Sequence, residues 1–158
     1  MLIVRSFAVA VLATLAFTAQ AAGIESFVGK TPSRLLKQEK PFAKAYTAAV
    51  KDAELPDWTR RAAVGFPAEA IALDGKTLIL VSACNPKDCL DERLYALYEA
   101  EDQSITGLFF LPPDPSNPAD SRIAFSRWFG KMPSKARSDW LLERAMTDLQ
   151  PANTLPKQ

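Results

Sequence analysis

The two cysteines of this chain, Cys84 and Cys89, lie close together and carry its most definable chemistry. The residues between them are Asn-Pro-Lys-Asp, so a bond between the two sulfur atoms would close a small ring. Such a pair is compatible with a redox-active dithiol, half of a metal site, a structural disulfide, or a disulfide that fixes a binding loop.

Spacing and composition argue against redox and metal chemistry. Redox-active cysteines typically form Cys-x-x-Cys at a helix N-terminus, whereas four residues separate these two and the flanking segments are predicted strands. Two cysteines supply half of a structural zinc site at most, and the chain contains no histidine. The sequence therefore predicts no metal and no cofactor.

The usual catalytic apparatus is also missing from the sequence. The absence of histidine removes Ser-His-Asp and Cys-His nucleophile pairs. Only 6 glycines occur, and no phosphate-binding Gly-rich motif is present. Glu99, Glu101 and Asp102 are acidic neighbours, but they lie in a turn-like segment where solvated side chains are the simpler interpretation. We therefore predict no catalytic residues and a protein that is not an enzyme.

Residues 1–21 have the design of a secretory signal peptide. Arg5 precedes an apolar run over 6–17, and Ala19-Gln20-Ala21 supplies a small-x-small cleavage site. The apolar run is shorter than the roughly 20 residues that a spanning helix needs. We expect an exported protein with no membrane contact after removal of the signal.

The remaining chain is long enough for one domain, which we place at residues 22–150, followed by a flexible tail at 151–158. Without Arg5, the 19 Lys and Arg of the chain become 18, against 18 Asp and Glu. A near-neutral chain lacks the basic excess with which nucleic-acid binders release phosphate counterions. No nucleic-acid partner is predicted.

Export implies that Cys84 and Cys89 oxidise to a disulfide, because they are the only cysteines and the compartment is oxidising. A ring of six residues stabilises a fold by only about 2 kcal/mol, and longer loops give more. A small ring that contains Pro86 has few conformations and loses little entropy on binding. We therefore favour a target-binding loop over a disulfide that only stabilises the fold. The loop consists of Asn85, Pro86, Lys87 and Asp88.

The elements that must position this loop are helices on both sides of a run of strands. Lys40-Pro41 begins an amphipathic helix; its apolar stripe consists of Phe42, Ala45, Tyr46, Ala49 and Val50. A short helical turn carries Trp58, which we expect to anchor the core. The last helix begins after Ser134 as N-cap; its predicted stripe is Trp140, Leu141, Met146 and Leu149.

The strands form a meander. Asp74-Gly75 lies between two apolar runs and predicts a type I′ hairpin turn. The segments 78–81 and 93–100 are apolar on both faces, which requires a covering layer on each side of the sheet. The last strand is predicted at 121–129. The resulting fold class is α+β, an α/β/α sandwich with a central five-stranded antiparallel sheet.

The cysteine loop and its flanks resemble the inhibitor of vertebrate lysozyme family. The segment SACNPKDC resembles that family's loop, whose usual form is Cys-Lys-Pro-His-Asp-Cys. LPDW upstream, LDGKTLILVSAC before the loop and SITGLFF after the next strand are similar as well, and the likeness spans roughly 24–149. The family's fold is also an α/β/α sandwich.

The resemblance implies a periplasmic inhibitor of c-type lysozyme or a related muramidase, whose loop occludes the enzyme's active-site cleft. In the family the loop histidine meets the catalytic carboxylates, whereas this chain has Lys87 there and Asn85 in place of a lysine. Two alternatives stay open: a divergent relative that binds another cell-wall lytic enzyme, such as a transglycosylase, and a periplasmic thiol-disulfide enzyme. A homodimer is compatible with the sequence.

Overall fold

The computed structural model describes residues 23–114, 116–117 and 125–148. The predicted signal peptide at 1–21 and tail at 151–158 lie outside the described residues. After a helical turn at residues 23–25, the helices of this part are α1 Pro32–Gln38, α2 Lys40–Asp52, α3 Asp57–Arg61 and α4 Lys135–Thr147. Its strands are β1 Val64–Gly65, β2 Glu69–Leu73, β3 Lys76–Asn85, β4 Asp88–Glu99, β5 Ser104–Phe110 and β6 Arg127–Gly130.

The strands form one antiparallel sheet in the order β1-β3-β4-β5-β6. Strand β2 pairs with the first half of β3, and β1 pairs with its end, so that both line the same edge of the sheet. The long strands β3 and β4 are therefore central, and the connection between them lies at one end of the sheet. Asp74 and Gly75 turn the chain at the other end.

Alternation along β3 and β4 gives the sheet two apolar faces, as 78–81 and 93–100 predicted. Side chains of one face pack against α1, α2 and α3, and include Val81, Leu94, Ala96, Leu35, Phe42 and Tyr46. Side chains of the other face pack against α4, and include Leu80, Tyr95, Leu97, Leu141 and Ala145. We call these the three-helix face and the α4 face. The predicted α+β class, with helices on both sides of the sheet, is confirmed.

The helices begin where the sequence signals them. Pro32 occupies the first turn of α1, and Ser134 caps α4 by accepting a hydrogen bond from the Arg137 backbone N–H. In α2 the buried residues are Phe42, Tyr46, Ala49 and Val50, four of the five positions of the predicted stripe. Helix α2 therefore uses the predicted face to cover the sheet.

Three details differ from the sequence prediction. The described residues contain six strands and not five, because Val64–Gly65 forms a two-residue strand beside Ala83 and Cys84. The last strand begins at Arg127, and residues 121–124 of the predicted strand lie outside the described residues. Met146 is exposed, whereas the buried residues of α4 are Arg137, Leu141 and Ala145.

The two helical tryptophans lie at the edges of the cores rather than inside them. Trp58 packs partly buried against the three-helix face, and Trp140 against the α4 face. Leu149 of the predicted α4 stripe lies outside the described residues. Within the described ranges, none of the helices has the length and apolar character needed to cross a bilayer.

Candidate functional site

The β3–β4 hairpin carries the candidate site, and its pairing is irregular. Cys84 pairs with Arg93, but the next residue of β3, Asn85, pairs with Asp88. The register therefore shifts by four residues, and the β4 segment 89–92 faces no residue of β3. Such irregularities re-aim side chains and commonly occur beside functional sites.

The predicted disulfide between Cys84 and Cys89 closes this hairpin, with the two Cα atoms 4.8 Å apart. Cys84 is buried at the end of β3, which fixes one side of the ring to the sheet. Pro86, Lys87 and Asp88 are exposed at the tip, whereas Asn85 is half-buried. We call residues 84–92 the disulfide loop.

Asn85 turns inward on the three-helix side of the loop. Its Nδ2 donates a hydrogen bond to Glu92 Oε2 at 3.0 Å, and its Oδ1 accepts one from the Lys87 backbone N–H at 3.0 Å. The second contact is an Asx turn, in which an Asn side chain bonds the backbone two residues later. Glu92 Oε2 also accepts a hydrogen bond from Trp58 Nε1 at 2.7 Å. The loop is thereby connected to α3.

Arg93 holds the loop from the α4 side. Its Nε donates to the carbonyl oxygen of Cys89 at 3.1 Å, and its Nη1 donates to that of Asp148 at 2.7 Å. Asp148 caps the C-terminus of α4, so the guanidinium connects this helix to the unpaired part of β4. Burial raises the pKa of the neighbouring Tyr95 from its ordinary value of 10.0 to about 12.

Lys87 is the cation that the loop presents. It is the only Lys or Arg in residues 84–92, its side chain is exposed, and no residue of the described part forms an ion pair with it. Asp88 Oδ1 accepts a hydrogen bond from the Asp91 backbone N–H at 3.2 Å, which shapes the following bend. The tip thus offers an ammonium group on an ordered backbone.

Exposed apolar side chains surround the base of the loop. Val64 pairs with Cys84 and is 43% exposed, Phe66 follows it on the same edge at 58%, and Leu90 within the loop reaches 72%. Exposed apolar residues that cluster, rather than occurring singly, mark candidate protein-binding surfaces. In residues 23–114, 116–117 and 125–148, no three Cys, Asp or Glu are placed to hold a metal ion.

The predicted site residues Asn85, Pro86, Lys87 and Asp88 come together at one end of the sheet, as their proximity in sequence required. Sequence reasoning missed the supporting residues Glu92 and Arg93 and interpreted Trp58 only as a core residue. The signal for Trp58 was its place in the LPDW segment, which is similar to the same family as the loop. Its partner Glu92 lies 34 residues away in sequence, beyond the reach of a local pattern.

Comparison with known proteins identifies a family that this chain matches. The profile described as "Inhibitor of vertebrate lysozyme (Ivy)" matches residues 41–147. A protein named "Inhibitor of vertebrate lysozyme" from Escherichia coli K12 is 33% identical over 79 residues, which is 50% of each chain. A protein of the same name from Pseudomonas aeruginosa is 27% identical over 101 residues, covering 61% of this chain and 65% of its own.

An uncharacterized protein of P. aeruginosa is also similar, at 26% identity over 103 residues, covering 63% of this chain and 66% of that protein. The matches thus span about half to two thirds of the length of these curated relatives. These relatives are therefore proteins named as lysozyme inhibitors and one protein named as uncharacterized.

Proposed function

The chain belongs to the inhibitor of vertebrate lysozyme family, and we propose that it inhibits a c-type lysozyme or related muramidase by placing the disulfide loop in the active-site cleft. Two relatives carry the name of such an inhibitor. The signal-like segment at 1–21 supports a periplasmic location, where an inhibitor would meet a lysozyme that attacks the cell wall. The partner is a protein, and the chain's role is occlusion rather than catalysis.

The observation that carries the proposal is the presentation of Lys87 at the loop tip, exposed and without an ion-pair partner among the described residues. A c-type lysozyme is a retaining glycosidase, and in retaining enzymes the two catalytic carboxyl groups lie about 5–5.5 Å apart. An ammonium group has three N–H donors, so one lysine can bond to both carboxyl groups. A loop that reaches these groups also blocks the substrate.

The fold supplies the order that occlusion needs. The disulfide, the Asx turn of Asn85 and the Arg93 contacts hold the loop before any target binds. A loop that is already ordered loses less conformational entropy on binding than a flexible one. The exposed apolar side chains of Val64, Phe66 and Leu90 add area that can be buried against the rim of the cleft.

Lys87 stands where the family loop has histidine, and this lowers the expected affinity. A lysine side chain is more flexible and more strongly hydrated than an imidazole, so ordering and desolvating it costs more free energy. We therefore expect inhibition to be weaker than by a loop with histidine at this position.

The same residue favours a second candidate function within this family. A lysine ammonium can bond to catalytic carboxylates of enzymes other than lysozyme, so a second candidate target is another cell-wall lytic enzyme, such as a transglycosylase. The similarity to an uncharacterized relative is compatible with targets other than vertebrate lysozyme. Inhibition of a transglycosylase, with no effect on c-type lysozyme, would select this candidate.

A thiol-disulfide role has less support from the geometry. Cys84 is buried at the end of a strand, and the second cysteine follows after four intervening residues in a hairpin. Catalytic disulfides need an accessible, low-pKa thiol, typically at a helix N-terminus. A reduction potential near those of thioredoxin-like enzymes, about −270 to −120 mV, would support the redox role.

The test is a titration of a c-type lysozyme with the oxidised protein lacking residues 1–21. Lys87→Ala should weaken inhibition about 30-fold or more, because a buried charge pair is lost. Lys87→His should inhibit at least as well as the wild type. Lys131→Ala is a matched control, because Lys131 lies at the other end of the sheet in an exposed pair with Asp102. No inhibition by wild type at tens of micromolar would contradict the proposal.

A further inference from the structure

Asn85 uses both ends of its side-chain amide within the protein. Its Nδ2 donates to Glu92 and its Oδ1 accepts from the Lys87 N–H, each at 3.0 Å. The residue is half-buried, whereas the neighbouring Pro86, Lys87 and Asp88 are exposed. Its geometry is therefore that of a brace and not of a side chain directed toward a partner.

The brace continues into the core through a shared carboxylate oxygen. Glu92 Oε2 accepts hydrogen bonds from both Asn85 and Trp58. The Trp58 ring packs against Phe109 with ring centroids 6.2 Å apart, and Phe109 belongs to the core of the three-helix face. A chain of three hydrogen bonds thus runs from this core to the backbone N–H of Lys87.

We propose that Trp58, Glu92 and Asn85 are positioning residues, which fix the backbone of Lys87 in the conformation that presents its ammonium group. Asn85 then acts through Lys87 and does not contact the target. The identity of the group that Lys87 binds on the target rests on the proposed function. The order of the loop in the unbound protein is independent of that function, and it can be measured separately.

The identity of residue 85 fits this role. Lysine, the usual residue of the family at this position, has no hydrogen-bond acceptor in its side chain and cannot accept from the Lys87 N–H. Asparagine carries an acceptor and a donor on one short amide. Pro86 follows directly, and Asn before Pro favours the start of a turn. Asn85, one of the two departures from the family loop, therefore holds the backbone N–H of the other, Lys87.

The test is the exchange rate of the Lys87 amide proton, measured by NMR on the oxidised protein without any partner. Asn85→Ala should speed this exchange about fivefold, the effect of losing one ordinary hydrogen bond. Trp58→Phe removes the indole N–H that bonds to Glu92 and keeps a smaller aromatic ring, so it should act in the same direction but less strongly. Asn85→Asp keeps the acceptor oxygen and should restore part of the protection.

Asp88→Ala is the matched control. It removes the acceptor of the Asp91 N–H, so it should speed exchange at Asp91 and leave the Lys87 amide unchanged. Equal Lys87 exchange in the wild type, Asn85→Ala and Trp58→Phe would overturn the proposal. Loss of lysozyme binding in Asn85→Ala with unchanged Lys87 exchange would overturn it too, since Asn85 would then be a contact residue. A wild type that fails to bind lysozyme leaves the exchange comparison valid.

Discussion

The two hairpins that share strand β3 are closed in different ways. In the β2–β3 hairpin, pairing is regular from Glu69 with Leu80 to Leu73 with Lys76. Asp74 and Gly75 complete the turn with φ of 55° and 70°, as a type I′ turn requires. The twist of such a turn matches that of the strands, so this hairpin is specified by its own sequence.

The β3–β4 hairpin lacks that local specification. Its turn residues Pro86 and Lys87 are not among the described residues with positive φ, and its register shifts by four residues after Cys84. Besides the Asx turn of Asn85, contacts from outside the turn hold it: a disulfide, the hydrogen bond of Asn85 to Glu92, and that of Arg93 to the end of α4. Natural proteins depart from local sequence rules mainly at functional sites, and the departure here falls on the candidate loop.

The largest expected effect is at the end of the sheet away from the disulfide loop. Glu99 is 2% exposed and forms ion pairs with Arg137 and Lys76, and Arg137 also lies 3.5 Å from Asp74 of the regular turn. Glu99→Gln removes the nearer of the two carboxylates that face the buried Arg137 charge and leaves only Asp74, at 3.5 Å. We expect a loss of about 3 kcal/mol in the free energy of unfolding, the lower end of the range for a broken buried pair, because Asp74 remains beside Arg137. Chemical denaturation measures this loss, and inhibition should not change directly.

The exposed neighbour Glu101 provides the control, and Glu101→Gln should change the stability by less than about 0.5 kcal/mol. Burial alone would raise the pKa of Glu99, but hydrogen bonds from Lys76 and Arg137 outweigh it, so that pKa lies below its usual value. The stability that ionised Glu99 contributes is fully present above the pKa of about 4.3 in the unfolded chain. It is lost as pH falls through the lower pKa of Glu99 in the folded protein. Wild type should therefore lose stability on acidification more steeply than Glu99→Gln; parallel pH profiles would contradict this.

The second-largest expected effect distinguishes a disulfide that only stabilises the fold from one that orders a binding loop. Replacing Cys84 and Cys89 together with serine should cost about 2 kcal/mol of stability, since the ring contains only six residues. Inhibition should fall by more than this unfolding explains, because the tip then loses order in the folded protein. Denaturation and lysozyme titration of the same samples give both values. Undiminished inhibition in the double variant would show that the disulfide only stabilises the fold.

The smallest effect tests the regular hairpin. Gly75→Ala places a Cβ in open space but at φ +70°, which costs an L-residue about 1–2 kcal/mol. Gly23→Ala also meets no neighbour within 4 Å and has no positive φ, so it should leave the melting temperature nearly unchanged. Inhibition should survive both substitutions. A loss of inhibition in Gly75→Ala would show that the two hairpins are not independent.

Periodicity predicted the layers of this fold because alternation along a strand follows directly from backbone geometry. Leu94 and Tyr95 therefore took opposite faces as expected. The prediction that Met146 is buried was wrong, because the buried stripe of α4 begins with Arg137 and continues through Leu141 and Ala145. The charge of Arg137 is compensated by Glu99 of β4. Hydrophobic patterns cannot anticipate a buried ion pair across 38 residues.

The candidate loop was predictable from cysteine spacing and export, but its support was not. The four-residue register shift at Cys84 has no local sequence rule, since it depends on partners that only the fold brings near. Glu92 and Arg93 look like ordinary strand charges in the sequence, and Trp58 looks like an ordinary apolar residue of a helix.

Hydrogen exchange of the oxidised protein, with and without an excess of c-type lysozyme, tests most directly whether the disulfide loop is the functional end. Binding through the loop should slow amide exchange in residues 87–92 and at Val64 and Phe66 on the adjacent edge. The turns at 73–76 and 100–104, at the opposite end of the sheet, should exchange at unchanged rates. Protection confined to those turns, or no protection in the loop while lysozyme is bound, would contradict the proposed mode of inhibition.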